Sequence, residues 1–253
     1  MERRVQQLVA KQYQTHTGIF KDNQKLIITD IEFGMQIRKD GKNKICKPDF
    51  VAFDGERFGL IEMKYDGQSM GNGAENSLDV HFLDFYNAIE PSEQEKRYKE
   101  CLRRLEILLT CGVIKEEIDS VNWKNRLEEC SKKIENKQLP QDLFWVGFIF
   151  IGGDRKKISK YIKKQLIDPS IENYKTSKFS DERMIHEREI AREVKGKLNA
   201  DKIYCQYCND TENGDIKLDL SKTLKEVYEE LSNANGEEER PVIYADPGAM
   251  ADK

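Results

Sequence analysis

The chain has 253 residues, of which 38% are hydrophobic and 35% charged, with a mean hydropathy of −0.75. Its longest apolar run, Leu143 to Ile151, falls far short of the roughly 18 residues a membrane span needs, and Met1-Glu2-Arg3-Arg4-Val5 lacks the apolar segment of a secretory leader. The 42 Lys and Arg against 46 Asp and Glu exclude a general basic coat for nucleic acid, but leave room for an acidic centre inside a locally basic groove. The six cysteines, at 46, 101, 111, 130, 205 and 208, are scattered and read as reduced thiols of a cytoplasmic protein.

Val5, Leu8, Val9 and Tyr13 make residues 1–14 an amphipathic helix, with Glu2 on the inward stripe one turn before Val5. An inward carboxylate is costly unless paired or bound to a cation. Thr15 to Gln24 breaks that helix at Gly18. Three strands follow: Leu26 to Arg38, closed by the turn Lys39-Asp40-Gly41-Lys42-Asn43; Pro48 to Phe53, closed by Asp54-Gly55; and Phe58 to Tyr65, a central strand buried on both sides. A Gly/Asn/Ser loop at 66–77 without phosphate-loop spacing leads into a short helix at Asp79 to Ile89. A longer helix carries Tyr98, Cys101, Leu102, Leu105, Leu108 and Leu109.

Residues 114–139 read as a charged helical excursion, and Leu143 to Ile151 as a buried strand ending at Gly152-Gly153. Ile158, Tyr161, Ile162 and Leu166 then mark a helix whose outer face carries Lys156, Lys157, Lys160, Lys163 and Lys164, beside Arg155. Positive charge at that spacing suits contact with a nucleic-acid backbone, or simply a solvated face. A polar helix at 181–198, with Arg183, His186, Arg188 and Arg192 to solvent, an edge strand at Lys202 to Cys208 and a helix on Leu220, Leu224, Val227 and Leu231 complete the pattern. There is no internal repeat. The order describes a mixed-sheet α/β sandwich: a core at 1–168 interrupted at about 112–140, an addition to the same domain at 169–231, and an acidic extended or disordered tail at 232–253.

The chemistry concentrates in Lys47-Pro48-Asp49 and Glu62-Met63-Lys64. A period of two sets Glu62 and Lys64 on one face of their strand, and a hairpin through Asp54-Gly55 returns Asp49 beside them. Two nearby carboxylates bind a hard cation through oxygen, and an adjacent ammonium orients a water or offsets charge developing on a phosphate. A surface ion pair would explain Glu-x-Lys alone, but not within so apolar a strand. Cys205-Gln206-Tyr207-Cys208 has no second ligand pair at zinc spacing.

Pro48-Asp49, twelve intervening residues and Glu62-Met63-Lys64 resemble the signature of the PD-(D/E)XK nuclease superfamily, and the order α-β-β-β-α-β resembles its restriction-endonuclease-like core over residues 1–165. The resemblance implies Mg²⁺- or Mn²⁺-dependent phosphodiester cleavage, with Asp49 and Glu62 as metal ligands and Lys64 as catalytic lysine. It also implies a further acid: Glu2 on the first helix, or Glu32 on the first strand, whose face Asp30 shares. His81 and Asp84, three apart on the helix after the loop, are candidates for supporting or phosphate-contacting groups, or are ordinary helix polar residues beside Tyr86. The resulting expectation is a cytoplasmic Mg²⁺-dependent deoxyribonuclease of restriction or phage defence, with RNA left open in place of DNA, acting as a homodimer or with a protein partner that supplies specificity. The alternatives are a non-catalytic nucleic-acid- or protein-binding module on the same fold, and a metal-dependent nucleotide hydrolase.

Overall fold

The computed structural model describes residues 17–39, 42–65, 77–118, 120–140, 142–169, 181–208 and 218–233. The expected first helix with Glu2, most of the loop at 66–77 and the tail from 234 lie outside the described residues. None of the described helices is long and apolar enough to cross a membrane.

The protein is α/β, with a mixed sheet flanked by helices. Its central meander consists of β2 (Lys25–Ile31), β5 (Phe50–Phe53) and β6 (Phe58–Tyr65), all antiparallel. Asp54 and Gly55 make the β5–β6 turn: Asp54 Oδ1 accepts from the backbone N–H of Glu56 and of Arg57, and Gly55 adopts φ +101°. β9 (Phe144–Ile151) joins β6 in parallel after a long crossover, and β10 (Ile203–Cys208) joins β9 in parallel.

The sheet has eight strands, in the order β11-β1-β2-β5-β6-β9-β10-β12. β1 (Thr17–Phe20) and β11 (Leu218–Leu220) form one edge, and β12 (Lys222–Thr223) forms the other. Because β11 and β12 are consecutive in sequence, residues 218–223 tie the two edges together and curl the sheet toward a barrel. One face, drawn among the described residues from strands alone, packs Phe20, Ile28, Phe50, Ile61, Met63, Trp145, Ile149 and Leu220 on one another. Here Gly59 lets the Trp145 ring lie against the β6 backbone; a Cβ at that position would sit 2.2 Å from ring atoms.

The other face is covered by helices: α1 (Leu78–Ala88), α2 (Pro91–Thr110), α3 (Trp123–Glu135), α4 (Arg155–Ile162), α5 (Asp181–Lys197) and α6 (Leu224–Asn233).

Several expectations are corrected. The segment 26–38 is not one strand. It breaks after Ile31, where Glu32 takes φ +50°, and Met35–Lys39 (β3) pairs with Lys42–Cys46 (β4) in a separate ribbon. Gly18, read as a helix breaker, lies in β1, where a Cβ would collide with Leu26 and the Leu218 carbonyl. The excursion at 114–139 opens with a small ribbon, β7 (Glu117–Ile118) with β8 (Val121–Asn122), before α3. The helix expected through Leu166 ends at Ile162 and passes into a π turn at Lys163–Ile167, which turns the Gln165 side chain inward. β10 is not at the edge, because β12 pairs outside it.

Candidate active site

The β5–β6 register fixes the centre of the site. Phe50 pairs with Ile61, so the next position along sets Asp49 across from Glu62. Asp49 Oδ2 accepts from the Met63 backbone N–H at 2.7 Å, a contact that ties the start of β5 to β6. Strand alternation then places Glu62 and Lys64 on the helix-covered face, in register with Phe148 and Phe150 of β9. All three side chains are buried: Asp49 is 8%, Glu62 5% and Lys64 3% exposed. Lys64 Nζ donates to Glu62 Oε1 at 2.9 Å.

Helix α1 closes over this set. His81 Nε2 lies 3.2 Å from the same Glu62 oxygen, and one turn later Asp84 pairs with Lys44 of β4 at 3.0 Å. Cys46, two residues beyond Lys44, is buried between the two carboxylates. Burial first, and then Asp84 and Glu62, push its thiol well above the ordinary cysteine range, so it is no nucleophile at neutral pH. The N-terminus of α1 is held from the other end of the chain, where the fully buried Gln165 accepts from the Leu78 backbone N–H at 3.0 Å. Ser77 and the buried Asp79 form a hydrogen bond at the same terminus.

Thus Asp49, Glu62, Lys64 and His81 come together, and Asp84, one turn along α1 from His81, pairs with Lys44. Of the proposed further acids, Glu2 is outside the described residues. Asp30 is held in a two-point ion pair by Arg104 of α2, whose guanidinium also lies 4.6 Å from the Phe33 ring centroid. Glu32 has an exposed side chain, although its backbone N–H donates to the Asp49 carbonyl at 3.1 Å. Lys44 and Gln165 escaped the sequence reading. Lys44 sits two positions before the buried Cys46 in an alternating run, the one local signal that it shares that face of the ribbon, although its side chain remains exposed; Gln165 had none.

Asp49 and Glu62 are oxygen donors set across from one another on adjacent strands. That chemistry fits a hard divalent cation, which commonly takes one or two protein carboxylates and completes its shell with water and phosphate. Among the described residues no three His, Cys, Asp or Glu side chains form a metal-binding group, so this pair supplies at most two ligands. Cys205 and Cys208 are not an alternative: Cys205 packs on the helix-covered face and Cys208 against the opposite cluster. Burial raises both thiols, Cys208 to about 12.

The lysine-bearing segment begins where β9 ends. Ile151 is in register with Tyr65, one residue past Lys64, and Asp154 caps α4 by accepting from the N–H groups of Lys156 and Lys157. Lys156, Lys157, Lys160 and Lys163 are exposed, Lys164 is half-buried, and the Arg155 guanidinium lies 5.3 Å from the Tyr207 ring centroid. No protein-family model matches the chain, and no curated protein or solved structure is significantly similar to it.

Proposed function

We propose that this chain is a metal-dependent nuclease with a restriction-endonuclease-like core, hydrolysing DNA phosphodiester bonds at Asp49, Glu62 and Lys64. The observation that carries the reading is the burial of these three charged side chains on one sheet face at the end of the hairpin. Removing two carboxylates and an ammonium from water costs several kcal/mol per ion, and apolar residues would fill the same space without that cost. The succession of the β2-β5-β6 meander, helices and β9 supports the reading through the strand and helix order that the resemblance implies.

A divalent cation bound by Asp49 and Glu62 would activate a water and polarise a phosphoryl oxygen. The Met63 N–H holds the Asp49 carboxylate in place, and Lys64 holds that of Glu62, beside the His81 ring. The Lys64 side chain would lie where negative charge builds on the phosphate and offset it. Lys156, Lys157, Lys160 and Lys163, with Arg155 and Lys164, would hold the DNA backbone by charge, without reading sequence. Two copies of the chain would supply one centre per strand, and a restriction or phage-defence setting follows from the resemblance.

Calorimetric titration with Mn²⁺ tests the metal. Binding to the wild type and its loss in Asp49→Asn, with an unchanged circular dichroism spectrum, is the expected result. Equal binding by both proteins would remove Asp49 from the site.

A further inference from the structure

We propose that the β3–β4 ribbon is an arm that grips duplex nucleic acid next to the Asp49–Glu62–Lys64 centre; its placement in catalysis rests on the nuclease reading. Among the described residues the ribbon pairs only with itself and takes no part in the eight-stranded sheet. Its base is nevertheless fixed. Met35, Ile37 and Cys46 are buried in the core that includes α1, and Lys44 pairs with Asp84 on that helix, one turn from His81. The arm is therefore anchored to the element that contacts Glu62.

Its charge is unlike that of the chain. Residues 35–47 carry Arg38, Lys39, Lys42, Lys44 and Lys47 against Asp40 alone, whereas the whole protein has a net charge of −4. The backbone register sets Lys39 directly opposite Lys42. Arg38 falls opposite Asn43, and Gln36 opposite Ile45. Gln36, Asn43 and Ile45 are exposed, Ile45 at 56%. From the buried Met35–Cys46 pair to the Lys39–Lys42 pair the ribbon rises about 14 Å at roughly 3.4 Å per residue. A two-stranded ribbon fits the major groove, about 12 Å wide, and a cluster of cations along it complements the phosphates on either side.

The test compares two triple variants with the same change in charge. Arg38→Glu/Lys39→Glu/Lys42→Glu alters the arm, and Lys96→Glu/Lys132→Glu/Lys225→Glu alters exposed positions elsewhere. Binding of a fluorescent DNA duplex is followed by anisotropy over a salt series, with Ca²⁺ replacing Mg²⁺. The arm variant is expected to bind at least tenfold more weakly than the control. The slope of log affinity against log salt should also fall by about 2–3, near 0.9 for each lost phosphate contact. Equal affinity of the two variants, no duplex binding by the wild type, or an effect confined to single-stranded DNA would each overturn the inference. Duplex binding through the arm without Mg²⁺-dependent cleavage would defeat the nuclease reading alone. Cleavage by a wild type whose binding ignores the arm would defeat the arm alone.

Discussion

On one side of the sheet, Ile61 and Met63 of β6 pack against Phe20, Trp145 and Ile149, strand upon strand. On the other, the intervening Glu62 and Lys64 point beneath α1, where Asp49, His81 and, one turn on, Asp84 gather. The same eight-residue strand thus serves two environments through its period of two. The curled side reaches closure by shape, with Phe20 stacked 4.6 Å from Trp145 and a glycine admitting the indole. The helix-covered side accepts buried charges that cost stability and whose chemistry suits phosphate hydrolysis. Asp79, Asp84 and Arg97, the other buried charged residues among those described, also lie on helices of that side. Stability and proposed function are therefore separable by face, and substitutions in β6 can test the division one residue at a time.

The largest effect on stability is expected where the ion pair is broken. Lys64→Met should destabilise the fold by about 3–5 kcal/mol in urea unfolding, because Glu62 and Asp49 are left buried without their ammonium. Glu62→Gln/Lys64→Met together should restore stability to within about 1 kcal/mol of wild type or exceed it, and still be inactive. If the double variant is as unstable as the single one, the pair is a structural staple and the division between the faces fails. Next comes Gly59→Ala, which drives a Cβ into the Trp145 ring and should cost about 3 kcal/mol. Under conditions where that variant remains folded, the metal affinity of the site should be unchanged; a loss would show that the curled side shapes the centre.

The smallest effects concern the thiols, two of which, Cys101 and Cys205, lie in the helix-covered core. Cys111 is exposed and should react with a disulfide reagent at once, whereas Cys101 and Cys205 should react only on opening. Burial, then Asp30 and Glu100, raise the Cys101 thiol from 9.0 to about 12. A raised folded-state value means that the contribution of Cys101 is complete below about pH 9 and is lost as pH climbs toward 12. Urea midpoints measured over that range should fall, and should fall less for Cys101→Ala.

How far the sequence could be read follows the range of the contacts involved. Asp49, Glu62 and Lys64 were legible because one short hairpin brings them together and strand alternation fixes their face. α1 and α2 were legible from spacing, and β9 from its unbroken apolar run. β1 and β11 were not: four and three residues long, they pair across some two hundred residues, and Gly18 locally signals a break; β12, with two residues, is too short to carry a pattern. The division of 26–38 was hidden because Phe33, Met35 and Ile37 continue an alternating apolar pattern past the Glu32 corner. Gln165 was invisible because its partner, the Leu78 N–H, is 87 residues away. Asp30 seemed a plausible ligand until Arg104, from a different helix, claimed it.

The most direct measurement is cleavage of supercoiled plasmid and of single-stranded DNA with Mg²⁺ or Mn²⁺, using the wild type beside Lys64→Ala and the near-isosteric Glu62→Gln. The account predicts nicking or degradation by the wild type, reduced by at least about 10²-fold in each folded variant. Equal activity in all three proteins, or none in the folded wild type with either metal, would contradict it.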